Sequence, residues 1–313
     1  MNIGLDMMGG DFSPLEAVKG VQLYLTGSTA PVTLFLVGDE NQINPLLEEY
    51  GIPSGSVKVV HAPQVITMDE HPTKALKEKQ QSSIAIGFHL LATGKMDAFI
   101  SAGNTGAMLV GALYSLKPIE GIQRPTISTI IPKENGGTGV LLDVGLNADC
   151  KPENLNQFAI LGSLYARHIL GISDPRVGLL NIGEEEGKGN ILAQAAYPLL
   201  KENPQIHFIG NIEGRDILLD KADVMVCEGF TGNVILKLAE SLHGITQRKE
   251  IHHEYFDRFD FEHYGGTPLL GVTKPVIIGH GISRNRSFSN MIALAQKMIE
   301  TDLLGKMKES FLS

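Results

Sequence analysis

The chain is predicted to fold as an α/β protein, a mostly parallel sheet with helices on both faces. Three observations predict this. Short apolar runs of strand length alternate with helix-length amphipathic segments, the pattern of βαβ units. Glycine is frequent: 35 of 313 residues, or about 11% against a usual ~7%, with no G-X-Y period. Apolar residues are 43% of the chain and charged residues 19%, a composition able to bury a sizeable core.

The expected strands cover residues 3–6, 33–37, 57–61, 98–101, 126–131, 139–143, 177–181, 207–210, 224–227 and 276–279. Each is a short apolar run ending at a turn signal. Helices are expected at 14–25, 75–91, 105–116, 153–170, 191–202, 233–242 and 286–303. The first strand leads through DMMGGD, where Asp11 is placed to cap the helix that starts near Pro14. The helix from Glu153 has apolar or permissive residues at 155, 158, 159, 162, 166 and 169, close to the 3.6 period, and Pro152 suits its start. Sheets of this kind bind ligands at the carboxyl ends of their strands, where the glycine turns fall.

No linker or low-complexity run divides the chain, so residues 1–313 are expected to form one α/β unit with two closely joined lobes. Residues 241–266 break the rhythm. They are charged and carry Tyr255, Phe256, Phe259, Phe261 and Tyr264. An aromatic face there must be buried by packing within the chain, by a dimer, or against a membrane or partner.

The net charge of −9 argues against broad nucleic-acid binding, which wants a basic face. Cys150 and Cys227 lie far apart without a CxxC pattern, so neither a disulfide framework nor a zinc site is expected. The N-terminal stretch carries Asp6 and Asp11 instead of a basic start, unlike a signal peptide. No apolar run approaches the ~18 residues of a membrane span. A reducing cytoplasm is the expected compartment. There is no G-x-G-x-x-G, no G-x-S-x-G and no H-E-x-x-H, and GEEEGKG at 183–189 lacks P-loop spacing. His252, His253 and His263 make no metal pattern, since the first two are adjacent.

A set of polar glycine turns remains, each following a strand. DMMGGD holds Asp6, Gly9, Gly10 and Asp11; SAGNTG holds Ser101, Gly103, Asn104, Thr105 and Gly106. DVGLN ends on Asn147, and EGFTGN holds Gly229, Thr231, Gly232 and Asn233. NIGEEEGKGN supplies Lys188 between two glycines, and KPVIIGHGIS presents His280 between two more. Residues 99–109 and 224–236 weakly repeat one another as strand, G-x-T-G, helix. Any one of these turns also serves as an ordinary strand-to-helix connection. Together they describe an anion pocket with many donors and no covalent nucleophile. Such a pocket suits a reaction in which the anion itself attacks.

The motifs MGGD at 8–11, SAGNTGA at 101–107, LLDVGLN at 141–147, LNIGEEEGKGN at 180–190, FIGNIEGRD at 208–216, GFTGNV at 229–234, YGG at 264–266 and GHG at 279–281 stand in the order found in phosphate acyltransferases of the PlsX type. The chain resembles that family nearly end to end. The resemblance implies a fold like that of phosphotransacetylases and of isocitrate/isopropylmalate dehydrogenases. It implies transfer of a fatty acyl group from acyl carrier protein to inorganic phosphate. The acyl phosphate product would feed a glycerol-3-phosphate acyltransferase and phosphatidic acid synthesis. It also implies a homodimer, peripheral membrane association, and neither a metal nor an organic cofactor. On this reading Lys188, Asn104 and His280 are catalytic, and the other turn residues named above hold substrate. Phosphate would rest on the AGNTG and GFTGN turns, with Lys188 offsetting its charge and His280 stabilising the oxyanion and the leaving thiolate.

Two stretches depart from the family. Residues 71–83 carry Lys74, Lys77 and Lys79 where arginine is common, and lysine lacks the bidentate fork. Residues 241–263 are shorter and more charged than usual, which weakens the expectation of membrane contact and leaves Phe256, Phe259 and Phe261 as its candidates. An acidic carrier needs a local basic patch, for which Arg284 with Arg286, or Arg248 with Lys249, are available. Two alternatives share the same turns: an acyl-CoA-dependent enzyme of phosphotransacetylase type, and a non-catalytic scaffold of lipid synthesis.

Overall fold

The computed structural model describes residues 1–28 and 30–312. In chain order its elements are β1 (Asn2–Asp6), α1 (Leu15–Gly27), β2 (Thr33–Gly38), α2 (Glu40–Glu49), β3 (Val57–His61), α3 (Pro72–Glu78), α4 (Ser83–Ala92), β4 (Ala98–Ser101) and α5 (Thr105–Ser115). Then come β5 (Thr126–Pro132), β6 (Thr138–Leu142), α6 (Pro152–Tyr165), β7 (Arg176–Asn181), α7 (Ile191–Lys201), β8 (His207–Glu213), β9 (Val224–Val226) and α8 (Gly229–Arg248). The chain ends with α9 (Glu254–Asp257), β10 (Thr267–Leu270), β11 (Val276–Ile278), α10 (Asn285–Glu300) and α11 (Leu303–Leu312).

The chain divides into two compact units. The first comprises Met1–Lys117 and Glu262–Glu300. Its strands run in the order β3-β2-β1-β4-β11-β10, parallel except for β10 against β11. Ile3, Leu5, Leu34, Leu36 and Ile100 are wholly buried in it, as parallel strands covered on both faces must be. The second unit comprises Pro118–Phe261 and the residues from Thr301. Its order is β5-β6-β9-β7-β8, parallel except for the β5–β6 hairpin.

Several elements differ from expectation for local reasons. The helix expected at 75–91 is two helices. Pro72 opens α3, and the Ser82 hydroxyl accepts the Ala85 N–H at 3.3 Å to start α4. Helix α2 buries only Ile43 and Leu47, too sparse an apolar pattern to read. Strand β10 is short and contains Pro268, which argues against a strand in sequence. The helix expected at 286–303 stops at Glu300, and Asp302 sits at φ 49° before α11. The helix expected at 233–242 runs longer at both ends, so the GFTGN motif is its first turn.

The aromatic segment turns inward within the second unit. Tyr255 packs edge-on against Phe259 at 5.3 Å between ring centres. Arg258 Nη1 and Nη2 donate to the carbonyls of Lys133 (3.2 Å) and Gly137 (2.5 Å) at the β5–β6 hairpin. Phe259 is therefore buried, which removes it from the candidate membrane contacts. The exposed apolar stripe lies one helix earlier, on α8: Phe230, Val234, Leu238 and Ile245 are 68%, 56%, 65% and 43% exposed. Among the described residues, no helix is long and apolar enough to cross a membrane.

An ion network centred on buried Lys133 and Asp223 ties the end of β5 to the starts of β7 and β9 in the second unit. The Lys133 ammonium lies 2.5 Å from Asp223 and 3.2 Å from Asp220. Arg176 holds the same two carboxylates at 2.9 and 2.5 Å. Burial pushes Asp223 up, but hydrogen bonds from Arg176 and Lys133 outweigh it and hold the carboxyl well below the usual range. Unfolded, this group titrates near about 4; folded, it stays charged below that. Its contribution is thus complete above about pH 4 and is lost as pH falls towards the depressed folded value. Asp223→Asn should lose about 3 kcal/mol of stability near neutral pH. In urea titrations the gap to wild type should narrow as the medium is acidified.

Candidate active site

In the first unit the carboxyl ends of β1, β4 and β11 are neighbours in the sheet, so the turns leaving them meet. Asp6, 1% exposed, accepts the Ser101 hydroxyl at 2.6 Å and the Met8 N–H at 3.0 Å. Ser101 Oγ in turn accepts the Gly103 N–H at 2.9 Å. Burial pushes the Asp6 carboxyl up, and hydrogen bonds from Ser101, Ser83 and the Met8 and Gly9 N–H groups only partly oppose it. The Asp11 N–H donates to the Gly281 carbonyl at 2.7 Å, which ties DMMGGD to the turn carrying His280. Gly9 is required by a close approach: a Cβ there would stand 2.6 Å from the Gly103 nitrogen. Asp11 does not cap α1, whose N-cap position is Pro14 with no side-chain cap. Asp11 lies upstream of that position and stays at the surface.

Helix α5 begins from this cluster. Asn104 Oδ1 accepts the Ala107 N–H at 2.9 Å. Its amide donates to the carbonyls of Thr67 (2.9 Å) and Glu70 (3.0 Å). Only 5% of Asn104 is exposed. Its side chain is committed to capping the helix and clasping the 67–70 loop, so it does not add the free donor expected of it. What it leaves open is the helix end itself. Thr105 is exposed and Gly106 half-buried, and the first N–H groups of a helix have no intrahelical acceptor. A neutral cap leaves the positive end of the helix dipole unopposed.

In the second unit, Asp143 follows β6 and is wholly buried. It accepts the N–H groups of Gly145 (3.0 Å), Leu146 (3.0 Å) and Asn147 (2.8 Å), and the Asn147 amide at 2.6 Å. Burial pushes its carboxyl up against these bonds. The Asn147 amide also donates to the Pro125 carbonyl at 2.8 Å. The Asn147 carbonyl accepts the Gly229 N–H at 2.7 Å. A Cβ on Gly232 would lie 1.8 Å from the Asp143 carbonyl oxygen. Gly229 and Gly232 thus let α8 lie against the 143–147 turn; they do not bare its backbone to a ligand. Asn233 donates to the Val144 carbonyl at 3.2 Å. The α8 N-terminus is already capped by an anion: Glu228 Oε1 accepts the Thr231 N–H at 3.1 Å and its hydroxyl at 2.5 Å. The two G-x-T-G turns therefore differ. The first has a neutral cap, and the second carries an anion of its own.

Lys188 stands on the loop after β7, exposed. Two of the three glutamates beside it are engaged elsewhere, Glu184 with Lys221 at 2.6 Å and Glu186 with Lys201 at 2.9 Å. Among the described residues, Lys188 itself carries no ion pair in the structure. The same loop borders a cavity of about 540 Å³ that also takes in Cys227, Glu228 and Thr231. Glu184, Glu213 and Asp216 lie close enough to share a cation, yet Lys221 and Arg215 already pair with them. Asp143 and Glu228 organise the second unit and were not singled out in sequence. Their signal is the strand-final acid before a glycine turn, which DMMGG and DVGLN share.

A phosphotransacetylase from Streptococcus pyogenes matches the fold with a TM-score of 0.67 at 19% identity, covering 96% of this chain and 94% of that one. A branched-chain phosphotransacylase from Enterococcus faecalis matches with a TM-score of 0.65 at 15% identity, covering 96% and 99%. The architecture is thus the mostly parallel α/β fold of phosphotransacetylases. Residues 1–306 match the family described as fatty acid synthesis protein. A phosphate acyltransferase of Halothermothrix orenii is 43% identical, covering 99% of this chain and 98% of that protein. One of Aquifex aeolicus is 44% identical, covering 98% and 96%. The chain belongs to this family of phosphate acyltransferases, enzymes of lipid synthesis that transfer acyl groups.

Neither cysteine is a prepared nucleophile. Burial pushes the Cys227 thiol well above its ordinary value, with the Glu228 and Asp143 charges adding to it. Burial, then the Asp143 charge, pushes Cys150 up to about 12. A thiol so protonated reacts slowly. At neutral pH both should resist iodoacetamide in the native protein and label fully in denaturant, as read by mass spectrometry. Fast native labelling of Cys227 would contradict the burial argument.

Proposed function

We propose that the enzyme moves a fatty acyl group from acyl carrier protein to inorganic phosphate. The products are an acyl phosphate and the free carrier thiol. The observation that carries this reading is the α5 N-terminus, capped by neutral Asn104 and open at Thr105 and Gly106, in a chain whose thiols are both held protonated. Phosphate rests on those N–H groups. One of its oxygens attacks the thioester carbonyl, the C–S bond breaks, and the thiolate leaves. His280, on the neighbouring turn, serves the oxyanion and the departing sulfur as a hydrogen-bond donor. Asp6, Ser101 and Asn104 act as positioning residues that hold the turns. Lys188 supplies the second unit's cation to an anionic substrate group.

The acyl phosphate then serves a glycerol-3-phosphate acyltransferase on the way to phosphatidic acid. We place the enzyme in the cytoplasm as one α/β chain of two lobes, working as a homodimer. The exposed α8 stripe of Val234, Leu238 and Ile245 is the surface for self-association or peripheral membrane contact. An acidic carrier would dock locally, at Arg284 and Arg286 or at Arg248 and Lys249, since the chain as a whole carries −9.

The direct test is phosphate-dependent release of carrier thiol from a long-chain acyl thioester, with heat-inactivated enzyme as control. Lys188→Ala should lose about ten- to hundredfold in kcat/KM, the worth of one charged hydrogen bond. Asn104→Ala should lose about 1 kcal/mol of stability with its cap and, when folded, raise KM for phosphate. Full activity in both folded variants would remove the site assignment. Preference for acyl-CoA over the carrier thioester would favour the phosphotransacetylase-type reading.

A further inference from the structure

The second unit holds a cavity whose chemistry is unlike that of the phosphate turn. Its volume is about 540 Å³, within the roughly 300–1,000 Å³ of small-ligand sites. Leu155, Leu179, Leu192 and Ile235 are among its apolar lining, and Asn190, Glu228 and Thr231 among its polar lining. An adjoining hollow of about 410 Å³ shares Asn190, Leu192 and Glu228 with it. Three large apolar side chains at these mouths lie open to solvent: Ile182, Ile191 and Phe230, at 82%, 89% and 68% exposed. Exposed apolar side chains clustered at a cavity mouth mark a binding surface. None of the described residues lining either space is lysine or arginine, and Glu228 offers a carboxylate. A phosphate or a nucleotide would meet no counter-charge from this lining.

We propose that this cavity receives the hydrocarbon chain of the acyl thioester, with its polar end toward Asn190 and Thr231. The assignment rests on the acyl-transfer reading above and adds where chain length is measured. Each methylene excluded from water strengthens binding about fourfold. Narrowing the wall therefore penalises long chains more than short ones.

Ile235→Trp and Leu192→Trp, both at partly exposed positions, should lower the ratio of kcat/KM for a sixteen-carbon over an eight-carbon acyl thioester at least tenfold. Val110→Trp, in the separate groove of the first unit lined by Leu76, Phe88 and Tyr114, should leave that ratio as in wild type. A carrier thioester bearing a diazirine at the chain end gives a test independent of variants: after irradiation of wild type, peptides containing residues 179–193 or 229–237 should carry the label. An unchanged ratio in both tryptophan variants, a ratio changed by Val110→Trp instead, or label confined to other peptides would overturn the proposal. Failure of the acyl-transfer reading looks different: wild type would then release no thiol in response to phosphate at either chain length.

Discussion

Asp6 and Asp143 each sit almost wholly buried where a strand ends and a glycine turn begins. A buried carboxylate is tolerable only if its oxygens are met by donors. Here the donors include the Ser101 hydroxyl and the Met8 N–H around Asp6, and three main-chain N–H groups with one amide around Asp143. The bonds cannot be made unless the turn takes one conformation. Each aspartate thus converts a flexible glycine loop into a fixed one, and the helix that follows starts from a fixed place. In both cases burial leaves the carboxyl raised, so these bonds hold the turn at an electrostatic cost.

What the two units do with that rigidity differs by one side chain. Helix α5 is capped by Asn104 and keeps its positive end for an external anion. Helix α8 is capped by Glu228 and has its anion built in. In our proposal the phosphate acceptor takes the first. The apolar cavity beside Glu228, with no cation in its described lining, belongs with a neutral hydrocarbon. The thiols at Cys150 and Cys227 are kept protonated, so neither is a prepared nucleophile for an acyl group.

Much of the fold was legible because parallel strands buried on both faces read as short apolar runs, as 98–101 and 224–227 do. Elements whose existence depends on neighbours were not legible. Helix α2 buries two residues, β10 carries a proline, and the break at Asp302 needs a left-handed backbone that aspartate rarely announces. At the site, the sequence identified the right turns but not what their residues do. Gly229 and Gly232 looked like openings for a ligand; the Asp143 and Asn147 carbonyls fill that space. Asn104 looked like a donor to substrate; the 67–70 loop takes its amide. The aromatic run at 255–261 left packing within the chain, a dimer, and a membrane or partner open; Phe259 is buried, and only the fold brings the β5–β6 hairpin beside this segment.

We propose that phosphate, held on a preformed helix N-terminus, attacks the thioester itself. Initial velocities measured while both phosphate and acyl thioester are varied test it most directly. Direct attack requires both substrates on the enzyme together, which gives intersecting double-reciprocal lines. Parallel lines, the signature of an acyl-enzyme intermediate, would contradict it.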